Sequence, residues 1–362
     1  MNICTFKERS KLKKKVLTAL ILFAVLITFI SCRTGNSTEN LTGTSTDNGR
    51  NPLPATSILP SPSPTANTEQ TKNTPLRFVV MADSRGSDTG INTKVVEKTL
   101  ESIKKITPQP LFAVMPGDLI DGASSYSNEK TQLLHFKDTI TKYYPISFFY
   151  PGFGNHEATA GAKGEQAFKE VFSEFNANFL EGYNKTVYYF DKNDTRLYML
   201  NSNHIGESHI ISDTQLNWIK ANTDLGKKHN MYFFHEPAYP TGAHVGSSLD
   251  VNKLQRDKLW GIVDNSVGSM VFCGHEHNYT RRHINSDFNE TINDQTFKFN
   301  KSVYQITTGT FGAPFYKDFT EKKDVDVPPI VEYHFAIVDI DDNNIQVTVY
   351  NLDGKVIDYF NQ

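Results

Sequence analysis

The chain has 362 residues and a formal net charge of −3. This length suffices for one α/β domain with additional segments, and the near-neutral charge provides no basic field that would attract a nucleic-acid backbone. We therefore exclude a nucleic-acid-binding module.

The first 31 residues have the pattern of an export signal. Basic residues between Lys7 and Lys15 precede the apolar segment 16–30, and Ser31 and Cys32 follow it. A basic region, a short apolar region and a small residue are typical of a signal peptide, and this apolar segment is shorter than the roughly 20 residues of a transmembrane helix. Cleavage before Cys32 resembles processing of a bacterial lipoprotein, in which that cysteine is lipidated.

One position departs from the lipoprotein pattern, because Phe29 stands where an aliphatic residue is usual. An uncleaved anchor and plain secretion are the alternatives. We expect export and attachment by the lipid to a bacterial membrane, on its periplasmic or cell-surface side.

The next segment, residues 32–75, begins with the lipidated Cys32. It is dominated by Ser, Thr, Asn, Gly and Pro. Such a segment has too few large apolar side chains to offset the entropy of ordering, so we predict a disordered tether. The folded domain is expected to comprise residues 76–362.

Strand and helix patterns alternate through most of this domain. The periodicity predicts strands at 76–83, 111–118, 146–151, 196–202, 231–236 and 269–274, and helices at 93–106, 131–144, 164–179, 214–222 and 252–264. Four further strands are predicted after residue 300, at 302–310, 333–341, 345–351 and 355–360. This order predicts a layered α/β sandwich.

Side chains able to bind metal gather at the carboxyl ends of the predicted strands. The carboxyl ends of strands in an open α/β sheet meet at one edge, where sites usually form. Asp, Asn and His supply oxygen and nitrogen ligands that suit Zn, Mn, Fe or Ni. Two histidines separated by one residue in an extended chain can each reach one ion of a pair. The residues are Asp83, Asp118, Asn155, His156, His235, His275 and His277.

In their order and context, five short blocks resemble the calcineurin-like metallophosphoesterase superfamily. They are DSR (83–85), GD (117–118), GNHE (154–157), His235 and GHEH (274–277). The similarity extends over about residues 77–283, and HEPAY, QLNWI and GHEHNYTR favour the purple-acid-phosphatase-like branch. The resemblance implies an αββα sandwich of two mixed β-sheets flanked by helices, with the rest of the C-terminus completing the second sheet.

The resemblance also implies roles for individual residues. Asp118 would bridge two divalent or trivalent metal ions, such as Mn, Zn or Fe. Asp83 and His277 would bind the first ion, whereas Asn155, His235 and His275 would bind the second. A hydroxide between the ions would attack a phosphate ester, and His156 would donate a proton or hydrogen bond to the leaving oxygen.

Arg85 departs from the family pattern, because a histidine ligand of the first ion usually occupies its position. A guanidinium has no lone pair for a metal. Asp121 is a candidate replacement ligand, although GDLIDG could simply form a turn. Arg85 could instead bind the substrate phosphate during catalysis, pair with Asp121 or Glu157, or leave a weakened or one-metal site.

Tyr279 and Arg281 are further candidates for substrate binding, although such residues also commonly pack or face solvent. The sequence thus predicts an exported, membrane-tethered metallophosphoesterase, with a monoester favoured over a diester. The alternatives are a phosphodiesterase or nucleotidase, and a non-catalytic surface binding lipoprotein with a degraded metal site. The sequence contains no indication of the oligomeric state or of the physiological substrate.

Overall fold

A computed structural model describes residues 75–341 and 344–362. The predicted signal peptide, the lipidation site at Cys32 and all but the last residue of the tether lie outside the described residues. Within the described ranges, none of the helices combines the length and apolar character needed to cross a membrane.

The described residues form five α-helices. These are α1 (Thr93–Ile103), α2 (Tyr126–Ile140), α3 (Ala162–Val171), α4 (Asp213–Ala221) and α5 (Lys253–Asn265). Polar side chains define two of the helix starts: Asn92 accepts the backbone N–H of Val95, and Ser125 accepts that of Asn128.

Besides four short 3-10 helices among the described residues (Ile146–Phe148, Glu157–Ala160, Leu249–Asn252 and Ser286–Phe288), the rest of the regular structure consists of strands. In chain order they are β1 (Leu76–Val80), β2 (Arg85–Gly86), β3 (Gly90–Ile91), β4 (Ala113–Met115), β5 (Phe149–Pro151), β6 (Asn178–Phe179), β7 (Tyr188–Lys192), β8 (Thr195–Met199), β9 (Asn203–His204), β10 (Glu207–Ser208), β11 (His229–Phe233), β12 (Ser269–Cys273), β13 (Tyr279–Ile284), β14 (Glu290–Ile292), β15 (Gln295–Phe297), β16 (Val303–Thr308), β17 (Val325–Ile330), β18 (His334–Ile340), β19 (Ile345–Asn351) and β20 (Val356–Asn361).

Two large mixed sheets contain most of these strands. The first has six strands in the order β20-β19-β18-β1-β4-β5, and the second has eight in the order β17-β13-β16-β12-β11-β8-β7-β6. In the first sheet β1, β4 and β5 are parallel, while β1 pairs with β18 in antiparallel fashion, with Leu76 opposite Ile340. In the second sheet β8, β11, β12 and β16 are parallel.

The two sheets pack face to face through aromatic side chains. Phe78 of the first sheet contacts Phe233 of the second edge-on, with ring centroids 6.4 Å apart, and the ring of Phe190 lies flat against Tyr150. Leu100 and Phe136, on α1 and α2, are buried in the same core as the first sheet. A second cluster joins α4 and α5 to the outer face of the other sheet, with Trp260 fully buried. The predicted αββα sandwich is confirmed.

The C-terminal strands differ from the expectation in one respect. They do not all complete the second sheet, because β18, β19 and β20 form an antiparallel meander beside β1 in the first sheet. The sequence patterns also missed β7, β13 and β17. Strand β13 carries two arginines and a histidine, and β17 contains two prolines, which its edge position tolerates.

Candidate active site

The loops that follow the parallel strands of both sheets meet at one edge of the sandwich. Three residues at this edge have left-handed backbone conformations, with φ of 63° at Asp83, 48° at Asp118 and 71° at His275. Such conformations cost free energy in residues other than glycine and concentrate at functional sites. The local backbone thus holds these residues in sharp turns that direct them to a common point.

Asp83, Asp118 and His277 form the centre of the site. One ligand atom from each lies within 4.8 Å of those of the other two, and all three side chains are buried. The His277 ring donates from Nδ1 to the carbonyl oxygen of Pro314 at 2.6 Å, and its Nε2 faces Asp83 Oδ1 at 3.4 Å.

His235 and Asn155 lie on the other side of Asp118. The Nε2 atom of His235 is 3.2 Å from Asp118 Oδ1 and 3.0 Å from Asn155 Oδ1, while its Nδ1 donates to the carbonyl oxygen of Pro116. Burial disfavours a charged imidazole, but the Asp118 carboxylate outweighs burial and raises the pKa of His235 to about 10. This pocket therefore favours positive charge strongly.

His275 completes the group. Its backbone N–H donates to both carboxylate oxygens of Asp83 at 3.1 Å, and its ring lies 5.0 Å from that of His235. Burial, reinforced by the neighbouring His235 and His244, lowers the pKa of His275 well below its usual range. A neutral imidazole is the form that binds metal.

These contacts fit a metal centre on the chemistry of the donor atoms. The Nε2 atom of His235 faces two oxygen atoms, Asp118 Oδ1 at 3.2 Å and Asn155 Oδ1 at 3.0 Å, an arrangement that a proton or a metal cation at this point stabilises. Two glycines allow the carboxylates to pack this closely against the backbone. A Cβ at Gly154 would lie 2.2 Å from Asp118 Oδ1, and one at Gly274 would lie 2.3 Å from Asp83 Oδ2. The oxygen and imidazole donors suit Mn, Zn or Fe.

His156 lies beside the cluster. Its Nδ1 donates to the carbonyl oxygen of Asp121 at 2.6 Å, and its Nε2 lies 3.8 Å from Asp118 Oδ2. Its side chain is 23% exposed, whereas all of the ligand candidates except Asn155 are buried. The imidazole therefore faces the site from the solvent side, as a proton donor to a substrate would.

Two buried glutamates join the loops of the site by hydrogen bonds. Glu157 accepts the backbone N–H groups of Asp118, Ile120 and Gly154 at 2.7–3.1 Å. Glu276 accepts the N–H groups of Thr241 and Gly242 at 2.8 and 2.6 Å. Both carboxylates connect loops distant in sequence, and therefore orient ligand-bearing segments.

The structure does not support Asp121 as a replacement ligand. Its carboxylate is half exposed and pairs with Arg85, with Nη1 3.4 Å from Oδ1, and it is not part of the three-residue ligand group. Arg85 also donates from Nη2 to the hydroxyl of Tyr316 at 3.1 Å. Of the expected arrangements for Arg85, the ion pair with Asp121 is the one observed.

The structure also does not support substrate binding by Tyr279 and Arg281. Tyr279 is fully buried and donates to Asp358, and Arg281 pairs with both Asp358 and Asp326. These side chains therefore connect β13 to β20 of the other sheet and to its neighbour β17. Tyr279 and Arg281 point in the same direction because side chains two residues apart in a strand lie on one face of the sheet.

Sequence reasoning missed two residues of the site. The Tyr316 ring stacks on His277 with centroids 4.2 Å apart, and the His244 ring lies 3.8 Å from that of His275. Burial, assisted by the charge of His235, lowers the pKa of His244 to about 4. Neither residue follows a predicted strand, so the pattern that identified the ligands could not find them.

Residues 76–279, more than half of the chain, match the family model described as calcineurin-like phosphoesterase. The chain belongs to this family. Members of this family are typically metal-dependent hydrolases of phosphoric ester bonds, and the candidate ligand cluster of this chain fits that chemistry. No curated protein sequence is significantly similar to the chain.

Solved structures share the fold at low sequence identity. A purple acid phosphatase, PPD1 from yellow lupin (Lupinus luteus) seeds, is 16% identical with a TM-score of 0.59, over 79% of this chain and 53% of the lupin chain. PhoD is 10% identical with a TM-score of 0.58, over 82% of this chain and 73% of its own. GAP50 of Plasmodium is 14% identical with a TM-score of 0.51, over 79% and 88%. The chain thus spans about half the length of the lupin enzyme.

Proposed function

We propose that the phosphoesterase uses two metal ions held by Asp83, Asp118, Asn155, His235, His275 and His277. The supporting observation is that Asp118 lies close to candidate ligands on both sides. A carboxylate oxygen of Asp118 lies within 4.8 Å of ligand atoms of Asp83 and His277, and its Oδ1 lies 3.2 Å from His235 Nε2. Asp118 is therefore the residue that would bridge the ions.

The chain's own groups supply positioning, charge and a proton. When bound, the metal ions would activate water for in-line attack and neutralise charge on the phosphoryl oxygens. His156 donates its Nδ1–H to the Asp121 carbonyl, so the proton that would pass to the departing oxygen is the second one, carried on Nε2 of the doubly protonated ring. Arg85 would bind a phosphoryl oxygen at the edge of the cluster.

A phosphatase assay tests this proposal. Purified protein is incubated with p-nitrophenyl phosphate in the presence of Mn, Zn or Fe, beside an Asp118→Asn variant. We expect metal-dependent turnover that the variant loses. Metal-independent turnover, or equal rates in the variant, would contradict the assignment.

A non-catalytic binding role is the second candidate. Arg85 occupies the position of a family ligand, and the similar GAP50 structure is described as an anchor in the inner membrane complex of its organism. Metal bound in the expected ratio without turnover of any phosphate ester would favour this candidate.

We also propose that the protein is exported and held at a bacterial membrane by a lipid on Cys32. The support is the signal-peptide pattern of residues 1–31 and the polar segment that follows. Cells expressing the full chain are labelled with a radioactive fatty acid and fractionated. Label should enter the membrane-bound protein and be lost in Cys32→Ala, but not in Cys273→Ala, whose cysteine is buried in the fold. Unlabelled wild-type protein would refute the anchor.

A further inference from the structure

A loop outside the family-model match holds two of the ligand segments. We call residues 309–316 (GTFGAPFY) the 309–316 loop. It makes hydrogen bonds to the chain around both ligands of the first ion. The backbone N–H groups of Phe311, Ala313 and Tyr316 donate to the carbonyl oxygens of Ala82, Asp83 and His277 at 2.7, 2.9 and 3.1 Å, and the Pro314 carbonyl accepts from the His277 ring. The 309–316 loop is therefore a structural part of the site.

Tyr316, at the end of this loop, connects a ligand to Arg85. Its ring is nearly parallel to that of His277, with an interplanar angle of 10°. Its hydroxyl accepts from Arg85 Nη2 at 3.1 Å. Tyr316 thus packs its ring against the His277 imidazole and holds the Arg85 guanidinium by a hydrogen bond to its hydroxyl.

Neighbouring carboxylates balance the positive charge of Arg85 only weakly. Its carboxylate contact, with Asp121, is a single one at 3.4 Å to a half-exposed partner, whereas Arg196 holds Asp191 through two bonds of 2.8 Å. The Arg85 side chain is 16% exposed, and its Nε is buried without a hydrogen-bond partner among the described residues. A buried donor and an under-compensated cation beside the cluster need an anionic acceptor.

We propose that Tyr316 holds the Arg85 guanidinium in position at the edge of the site. We call this fixed cation the cationic corner and propose that it selects phosphate monoesters over diesters. This inference rests on the proposed function and specifies its substrate class. A monoester has three non-bridging oxygens and, with a second pKa of about 6, close to two negative charges at neutral pH. A diester has two such oxygens and one charge. A guanidinium, planar and permanently charged, gains more from the third oxygen and second charge than the neutral imidazole it replaces would.

Kinetics on matched substrates test the selection. Tyr316→Phe keeps the ring against His277 and removes only the hydroxyl, and Tyr333→Phe, whose ring packs on Phe315, is the control. We expect kcat/KM for p-nitrophenyl phosphate to fall about tenfold in Tyr316→Phe, mainly through KM, as for loss of one hydrogen bond to a charged group. The value for bis-p-nitrophenyl phosphate should fall far less, metal content should stay constant, and Arg85→Gln should lower monoester kcat/KM further. Equal losses on both substrates, or no loss, would overturn the inference.

Binding separates this inference from the proposed function. Inorganic phosphate and dimethyl phosphate are titrated calorimetrically into metal-loaded wild-type protein and Tyr316→Phe. Weaker binding of inorganic phosphate alone in the variant supports the cationic corner, even if the wild type hydrolyses neither ester and the proposed function fails. Unchanged affinity for inorganic phosphate refutes it, whatever the turnover.

Discussion

Gly154→Ala tests whether the packing around Asp118 sets the geometry of the cluster. A Cβ at this position would lie 2.2 Å from Asp118 Oδ1 and 2.6 Å from its backbone nitrogen, so the carboxylate must move by about 1 Å to regain van der Waals contact. Asp118 Oδ1 is also the atom that accepts the backbone N–H of His156 at 3.1 Å and lies 3.2 Å from His235 Nε2. The substitution therefore displaces the proposed bridging ligand without removing it.

A displacement of about 1 Å at a catalytic site typically costs about 100-fold in rate, and we expect a loss of that size in metal-dependent p-nitrophenyl phosphate hydrolysis. Metal content after dialysis should also fall. Gly261→Ala is the matched control, because a Cβ there meets no heavy atom within 4 Å and the residue lies within α5. Wild-type turnover and metal content in Gly154→Ala would refute this account of Asp118.

Three further predictions concern separate groups. His156→Ala should retain its metal ions, measured by elemental analysis, while turnover falls about 100-fold or more, as for loss of acid catalysis; loss of the ions would show that His156 is a ligand. Arg85→His should retain metal more tightly against a chelator, whereas Arg77→His, which disrupts the pair with Asp339 and the hydrogen bond to the Pro108 carbonyl, should not; equal retention would show that position 85 is not a ligand position. Burial raises the pKa of Glu129 to about 7, so its contribution to stability is present below the unfolded-state pKa near 4.5 and is lost as pH rises through 7. Glu129→Gln should therefore be more stable than wild type at pH 8 by about 1 kcal/mol, allowing for solvent screening, but not at pH 5. Thermal unfolding at the two pH values measures this, and a difference independent of pH would contradict it.

The candidate ligands could be identified in the sequence because their signals are local. Each one follows an apolar run within a few residues, and the family blocks contain them in the same order. His235, for example, lies two residues beyond the end of β11, and the end of that strand is adjacent to the end of β12, which precedes His275. Strand order and chain direction are enough to bring such residues to one edge of a sheet.

The surroundings of Arg85 were not predictable in the same way. Its partner Tyr316 is 231 residues away along the chain, in a loop without strand or helix periodicity. Tyr279 and Arg281 illustrate the opposite case: they lie two and four residues after the GHEH block, yet the packing of the two sheets directs them to Asp358. Which face of β13 meets the other sheet depends on contacts that no short sequence window contains.

The central claim is that six side chains from both sheets bind a pair of metal ions. Crystals of the metal-loaded protein, measured at the absorption edge of the bound metal, test it most directly. The account predicts two anomalous peaks, one on each side of Asp118, with His156 and Arg85 bound to neither. A single peak remote from Asp118, or metal held by residues outside this group, would contradict it.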